Sequence, residues 1–206
     1  MNTGNCPPLK ERVRQYINTQ CIARVPSASK ELPSIDNGSF YRWQFYLRQA
    51  LLDPVCLSVI CDDFWHKYGA MHACTPFQIA GVESASLPLL SALVMHAARF
   101  DVCLNAFSIR KQPKSYGRRN VIEGRPSELP VLLVDDLTSP QHNAFWYGVN
   151  ILSNYRMRLF PYGYVVVWKD LDLPCKPLNT SIGSVQFSSL FSLSDFSLLD
   201  PTFVEE

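Results

Sequence analysis

The sequence has few charged residues for its length of 206 residues. Asp, Glu, Lys and Arg make up 18% of it, whereas an average domain has about 25%. The net charge is only +1, so no long-range attraction to nucleic acid or to an anionic membrane is expected. A chain with so few charges is expected to bury part of its surface against a partner, which predicts a homodimer or a larger protein assembly.

Long apolar runs are also missing. No stretch of about 18 apolar residues occurs that could cross a bilayer. The first ten residues lack the apolar centre of a signal peptide. We therefore expect no membrane association and a cytoplasmic protein.

Paired cysteine spacings are absent as well. The seven cysteines are an odd number, and no Cys-x-x-Cys occurs, so most are expected to be reduced core residues. His66, His72 and Cys74 lie close in sequence and have side chains that bind metals. Because the paired ligand spacings of metal sites are missing, we predict no metal site built from these side chains.

The apolar content of 47% is sufficient for one full core. We therefore predict a single domain over residues 1–206, with an N-terminal helical segment at 1–29 and a core at 30–206. Leu9, Val13 and Ile17 follow helical spacing, which predicts a helix over residues 9–23 that packs on the domain or on a second subunit.

Local patterns predict most of the remaining elements. Strands are expected at residues 40–47, 77–81, 106–109, 131–134 and 162–168. Helices are expected from 53 to about 68, with Pro54 in the first turn, and at 87–100 and 144–154. Residues 82–86 and 176–180 are expected to be loops.

The stretch 131–143 has the pattern on which the functional hypothesis depends. An uncharged strand, expected to be buried on both faces, is followed by Asp135 and Asp136, a polar turn and a helix. In open α/β sheets ligands bind beyond the carboxyl ends of such strands, and a helix N-terminus suits a phosphate. The alternative is an ordinary strand that leads to a helix cap, with both carboxylates solvated.

Val-Leu-Leu-Val-Asp-Asp-Leu-Thr-Ser-Pro, which begins this stretch, resembles the phosphoribosyl-diphosphate (PRPP) motif of type I phosphoribosyltransferases. The resemblance implies that Asp135 and Asp136 hold the ribose hydroxyls. It also implies that the following loop wraps the 5′-phosphate, through Thr138, Ser139, Gln141 and His142. The loop departs from the family, because Pro140 has no N–H to donate and the next two positions lack the usual small residues and glycine.

A second resemblance covers residues 110–124, Arg-Lys-Gln-Pro-Lys-Ser-Tyr-Gly-Arg-Arg-Asn-Val-Ile-Glu-Gly. Orotate phosphoribosyltransferases carry an Arg-Lys-x-x-Lys-x-His-Gly loop that ends in Ile-Glu-Gly. The match implies that Arg110, Lys111 and Lys114 neutralise the diphosphate, in part across a dimer interface, and that Tyr116 replaces the histidine. The alternative is a solvated basic loop.

The same family resemblance extends to residues 35–48 and to the loop Glu83-Ser84-Ala85-Ser86. In the family the first segment carries a lysine that touches pyrophosphate and base, and this position is Asp36 here. The loop binds pyrophosphate and usually contains Gly-Gly, where this chain has Ala85 and Ser86, and Glu83 adds a negative charge. The alternatives are a plain β-hairpin and a helix capped by Ser84 or Ser86.

The C-terminal region also fits the resemblance. Residues 185–196 are similar to the family's last strand and short helix. Trp168 falls in the region that the family uses around the base, so it either stacks on a base or belongs to the core.

The resemblance implies an α/β fold of the type I phosphoribosyltransferase kind, a central mostly parallel sheet flanked by helices with a small N-terminal hood. It implies a divergent protein that binds PRPP or a nucleotide and transfers phosphoribosyl to or from a nucleobase, with Mg²⁺ if it is active. The alternative is a catalytically inactive accessory or effector subunit of a larger assembly, such as a bacterial anti-phage system of the retron type.

Overall fold

The structure, a computed structural model, describes residues 7–24, 32–33, 40–41, 43–112, 120–139, 143–169 and 177–198. Several residues singled out in the sequence lie outside these ranges: Asp36, Lys114, Tyr116, Pro140, Gln141 and His142. The predicted roles of these residues stay predictions.

The N-terminal part begins with helix α1 (Leu9–Gln20) and four short strands: β1 (Ile22–Arg24), β2 (Leu32–Pro33), β3 (Phe40–Tyr41) and β4 (Trp43–Phe45). Strand β1 pairs antiparallel with β4, and β2 pairs antiparallel with β3. The helix predicted over residues 9–23 therefore ends early, because residues 22–24 pair with β4. The single strand predicted over 40–47 is also wrong, because its two halves have different strand partners.

Two helices follow, α2 (Arg48–Leu51) and α3 (Pro54–Cys74). The Asp53 side chain caps α3 by accepting hydrogen bonds from the backbone N–H groups of Val55 and Cys56. Pro54 occupies the first turn, as predicted. The helix continues past the predicted end at Tyr68 because the buried side chain of His72 extends its core-facing side by another turn.

The remaining chain forms one seven-stranded sheet with two covering helices. In chain order these elements are β5 (Gln78–Val82), α4 (Ser86–Ala97), β6 (Ala106–Ile109), β7 (Ile122–Gly124), β8 (Val131–Thr138), α5 (Asn143–Asn154), β9 (Leu159–Trp168), β10 (Leu178–Thr180) and β11 (Gly183–Ser192). Single 3₁₀ turns follow α4 at Ala98–Phe100 and β11 at Leu193–Phe196. The loop predicted at 176–180 is wrong over β10, because these residues pair with β11.

The strand order is β10-β11-β9-β8-β5-β6-β7. The five central strands run parallel, and β10 and β7 are antiparallel edge strands of three residues each. The α/β fold with a mostly parallel sheet is therefore confirmed.

Both faces of the sheet are covered. Leu132 and Val134 of β8 lie in the cluster that includes α3 and α4, whereas Val131 and Leu133 lie in the cluster that includes α5. This alternation confirms that β8 is buried on both faces, as its uncharged sequence predicts. It also places α4 and α5 on opposite faces of the sheet.

The described cysteines are free thiols. Cys21, Cys56 and Cys61 are buried, and Cys74 and Cys103 are exposed. Burial raises the pKa of the Cys56 and Cys61 thiols to about 12, which makes these two cysteines poor nucleophiles.

Neither a metal cluster nor a membrane helix is found in the described part of the chain. It contains no group of three His, Cys, Asp or Glu side chains arranged to bind a metal, and a ring nitrogen of His72 forms a hydrogen bond with the Phe77 carbonyl instead. No helix of the described residues is long and apolar enough to cross a bilayer.

Candidate functional site

The sheet has a switch point between β5 and β8. From β5 the chain continues to β6 on one side, and from β8 it continues to β9 on the other side. The helices that follow β5 and β8 cover opposite faces, so their connecting loops diverge and leave a crevice at the carboxyl ends of both strands. This is the place where open α/β sheets bind ligands.

The two aspartates lie at this crevice. The strand continues through Asp135 and Asp136 to Thr138. The prediction that these acids follow the strand is therefore wrong, because they lie within it. The Asp136 N–H donates a 2.9 Å hydrogen bond to Asp135 Oδ1. Their position inside a paired strand fixes both carboxyl groups on a rigid element.

The pKa of Asp135 is shifted by its surroundings. Burial and the negative charge of Asp136 raise the pKa of the Asp135 carboxyl well above its usual range, while the positive charge of Lys111 opposes this shift. Lys111 is thus close enough to act on Asp135 within one chain. A partly buried acid beside another acid, with a cation in reach, is typical of a functional site.

A cleft opens beside these residues, with a volume of about 270 Å³ that includes its open mouth. Its lining comes from β5, β8, α5 and β11 and includes Gly81, Asp135, Thr138, Phe145 and Phe187. Thr138 is only 1% exposed, and its Oγ1 has no hydrogen-bond partner among the described residues. A buried hydroxyl without a partner is costly, and this one borders the cleft.

The loop between β5 and α4 closes the crevice on the β5 side. The Glu83–Ser84 peptide bond is cis, and the Glu83 N–H donates a 2.8 Å hydrogen bond to the Ile109 carbonyl. Ser84 Oγ accepts a 2.7 Å hydrogen bond from Arg48, and the buried Ser86 hydroxyl donates to the Val82 carbonyl.

The alternative of a serine-capped helix is wrong. The N-cap residue of α4 is Ala85, and no side chain caps this helix. Ser86 is instead packed under the loop, where it approaches Gly81 so closely that a Cβ atom at Gly81 would lie 2.5 Å from the Ser86 Cβ. Glycine at position 81 is therefore required for the loop to turn over the end of β5.

Carboxylates surround the guanidinium group of Arg110. Its Nη1 lies 2.9 Å from Glu123 Oε1, and its Nε lies 3.6 Å from Glu83 Oε1. Arg110, one of the three cations predicted to neutralise the diphosphate, is thus already paired within the chain.

Tyr147 of α5 fixes the start of the basic loop. Its hydroxyl donates to the Arg110 carbonyl at 2.8 Å and contacts the Lys111 carbonyl at 3.2 Å. Burial and the charge of Glu83 raise the pKa of this phenol. Tyr147, Arg48 and Glu123 also contact these loops, although no sequence pattern indicates them, because each contact joins residues distant in sequence.

Most of the described residues predicted for the site lie at the carboxyl ends of the parallel strands β5, β6 and β8. These are Glu83, Ser84, Ala85, Ser86, Arg110, Lys111, Asp135, Asp136, Thr138 and Ser139. Trp168 is fully buried and its ring packs near Phe187, so it is a core residue and does not stack on a base.

Comparison with solved structures identifies the class of fold. The chain has the type I phosphoribosyltransferase fold. It is similar to Mycobacterium tuberculosis orotate phosphoribosyltransferase in complex with PRPP, with a TM-score of 0.62 and 18% identity over 93% of this chain and 100% of that chain. It is also similar to adenine phosphoribosyltransferase of Trypanosoma brucei in complex with AMP, pyrophosphate and ribose-5-phosphate, with a TM-score of 0.62 and 15% identity over 98% and 87% of the two chains.

Sequence comparison points to the same group of enzymes over a shorter range. The chain is 34% identical over 91 residues to the orotate phosphoribosyltransferase of Rhizobium rhizogenes, which covers 41% of this chain and 37% of that enzyme. No known family profile matches the chain. The resemblance to orotate phosphoribosyltransferases is thus confirmed for the fold.

Proposed function

We propose that this protein binds the ribose 5-phosphate part of PRPP or of a nucleotide and transfers the phosphoribosyl group to or from a nucleobase. The observation that supports the proposal most directly is the position of Asp135 and Asp136 at the carboxyl end of β8, beside the switch point, with Lys111 near enough for its charge to act on Asp135. Two acids and a cation at a ligand crevice suit a sugar that carries phosphates.

Each side chain has a role in this proposal. Asp135 and Asp136 accept hydrogen bonds from the ribose hydroxyls. Thr138 and Ser139, with Gln141, His142 and the N-terminus of α5, hold the 5′-phosphate.

The cations act on the other side of the ribose. The transition state separates a positive ribosyl centre from a departing anion, and Lys111, Arg110 and Lys114 stabilise this negative charge. Glu83, Ser84, Ala85, Ser86 and Tyr116 line the same side.

Mg²⁺ fits the carboxylate oxygens at this end of the strands. Two neighbouring carboxylates are hard oxygen ligands, and Mg²⁺ is commonly bound by one or two carboxylates together with substrate phosphates. Asp135 and Asp136 would hold the ion, which would neutralise phosphate charge when bound.

Calorimetry and a turnover assay test the proposal. We expect PRPP or a nucleotide to bind in the presence of Mg²⁺ and Asp136→Asn to weaken this binding at least about tenfold, since a charge-assisted hydrogen bond is lost. Pyrophosphate release from PRPP with a panel of nucleobases then tests the transfer. If no phosphorylated ribose binds, the proposal is wrong.

A second candidate is a binding subunit without turnover, which acts as an accessory or effector in a homodimer or a larger assembly such as an anti-phage system. The pairing of Arg110 with Glu83 and Glu123 favours it, because an arginine held by two carboxylates has less charge to offer a leaving group. Ligand binding without turnover, together with a mass above that of one chain, would support this candidate over the enzyme.

A further inference from the structure

We infer, on the basis of the proposed function, that Arg48 is a further ligand-binding residue, which contacts the diphosphate of PRPP together with the Ser84 hydroxyl. Arg48 comes from the N-terminal part of the chain and reaches the loop between β5 and α4. There its Nη2 donates a 2.7 Å hydrogen bond to Ser84 Oγ. The proposed function places the departing anion at this loop, so Arg48 is a cation beside that anion.

The main chain at Arg48 is anchored, although the side chain is exposed. Leu47, Ala50 and Leu51 are buried and belong to the core cluster that includes α3 and α4. Arg48 itself is exposed, so a ligand can approach its guanidinium group. A side chain that starts from a packed element and ends beside a loop can bind an anion without a rearrangement of the fold.

A cation at this loop offsets the acidic side chains around it. The carboxylates of Glu83 and Glu123 lie 3.6 and 2.9 Å from the Arg110 guanidinium group, and these three groups together have a net negative charge that repels a diphosphate. Arg48 forms no ion pair with another described residue, and its contact with Ser84 is to a neutral group. Its charge can therefore attract an anion to the loop.

The Ser84 hydroxyl has a hydrogen to donate. Its oxygen accepts the hydrogen bond from Arg48, and a hydroxyl has one O–H donor in addition to its lone pairs. A hydrogen bond accepted from a cation polarises the O–H group and strengthens the bond that it donates. A guanidinium group has five N–H donors and binds phosphate oxygens in pairs. Arg48 and Ser84 can therefore donate to the same anion.

Calorimetry on the full chain with Mg²⁺ tests the inference. PRPP and ribose 5-phosphate differ by the diphosphate at C1, so the ratio of their affinities measures the contribution of the diphosphate. We expect PRPP to bind at least about tenfold more tightly than ribose 5-phosphate. Arg48→Gln should lower this ratio about tenfold, since a charged hydrogen-bond donor is lost, and should leave the affinity for ribose 5-phosphate unchanged. Arg48→Lys keeps the charge without the paired donors and should lower the ratio about threefold.

Arg99→Gln is the matched control for the loss of one positive charge. Arg99 lies beyond the end of α4 that is opposite to the loop, and its side chain is 64% exposed, so the ratio should not change. Because Arg48 and Arg99 are both exposed, each variant should melt within about 2 °C of the parent by circular dichroism. An equal loss in both glutamine variants would mean that only the net charge matters, which contradicts the inference.

A double substitution distinguishes direct contact from a tether. Ser84→Ala breaks the contact with Arg48 and removes the hydroxyl, so it should lower the ratio about threefold. If Arg48 only held the loop in place through Ser84, adding Arg48→Gln to this variant would have no further effect. Direct contact with the diphosphate predicts a further loss of about fivefold, because the cation acts without the serine.

The outcomes separate this inference from the proposed function. Three results would overturn the inference while ribose 5-phosphate still binds: equal affinities of the parent for both ligands, an unchanged ratio in Arg48→Gln, or no further loss in the double variant. Each of these leaves the binding of a phosphorylated ribose at Asp135 and Asp136 standing. Failure of both ligands to bind the parent protein would overturn the proposed function itself.

Discussion

At the scale of single residues, Asp135 is the side chain whose position most clearly lowers the free energy of unfolding. Its carboxyl is packed beside Asp136, and its pKa is raised by burial and by that neighbouring charge. The unfolded chain has a pKa near 4 for this group, so the folded state binds more protons above that pH. Stability therefore falls as pH rises from about 4 through the raised pKa.

The substitution Asp135→Asn tests this cost. We expect the variant to exceed the parent in free energy of unfolding by about 1–2 kcal/mol at neutral pH, since a partly buried carboxyl beside Asp136 is replaced by a neutral amide. The difference should shrink as the pH falls below about 4, where Asp135 becomes protonated in both states. Urea denaturation across this pH range measures it, and a variant that is less stable at every pH would contradict the expectation.

Thr138 provides a second prediction at this scale. Thr138→Val keeps the shape and removes the unpaired hydroxyl, so the free energy of unfolding should rise by about 1 kcal/mol. Affinity for ribose 5-phosphate should fall about fivefold if the hydroxyl binds the phosphate.

Thr138→Ser is the reciprocal control for this position. It keeps the hydroxyl and loses a methyl group, so affinity should be retained while stability falls by about 1 kcal/mol. Equal affinities for the valine and serine variants would show that the hydroxyl does not contact the ligand.

At the scale of elements, α5 positions the basic loop through Tyr147. Its hydroxyl holds the carbonyls of Arg110 and Lys111, and Lys111 in turn lowers the pKa of Asp135. Tyr147→Phe should release Lys111, so the pKa of Asp135 should rise further and ribose phosphate affinity should fall about threefold to tenfold.

Carbon NMR of the Asp135 carboxyl group measures this effect without any ligand. Tyr155→Phe is the matched control, because Tyr155 follows the same helix and is 48% exposed. A pKa of Asp135 that does not change in Tyr147→Phe would show that Tyr147 has no role in positioning the lysine.

Elements with a local signal could be predicted from the sequence. The uncharged run before Asp135 predicts a strand buried on both faces, and Asp53 with Pro54 predicts the start of α3. In contrast, β3 and β4 could not be separated, because the choice of strand partner depends on β1 and β2, which are distant along the chain.

The same distinction holds for the site. Asp135, Asp136 and Lys111 lie in linear motifs and could be predicted. The contact between Arg48 and Ser84 joins residues 36 apart, and that between Tyr147 and the Arg110 carbonyl joins residues 37 apart. Such contacts exist only once the sheet order brings the elements together, so no local pattern indicates them.

At the scale of the whole molecule, α1 belongs to the main core. Val13 and Ile17 are buried in the cluster that includes α3, and Arg14 Nη1 donates a 2.7 Å hydrogen bond to the Asp195 carbonyl near the last described turn. The helix therefore packs on its own domain, which is one of the two predicted arrangements.

We expect Ile17→Ala to lower the free energy of unfolding by about 3 kcal/mol, because it leaves a cavity in this core. Leu9→Ala, at a position that is 55% exposed, should change it by less than about 0.5 kcal/mol. Urea unfolding followed by tryptophan fluorescence and by circular dichroism should give one shared transition. Separate transitions would show that α1 does not unfold with the rest of the chain.

The short edge strands limit how this molecule can associate. Within the described residues, β7 and β10 end the large sheet with three residues each, so each of these two strands offers only a short backbone segment on which another chain could add a strand. Strand addition at β7 and β10 is thereby disfavoured. A partner that joins this protein is expected to recognise helix surfaces and loop side chains.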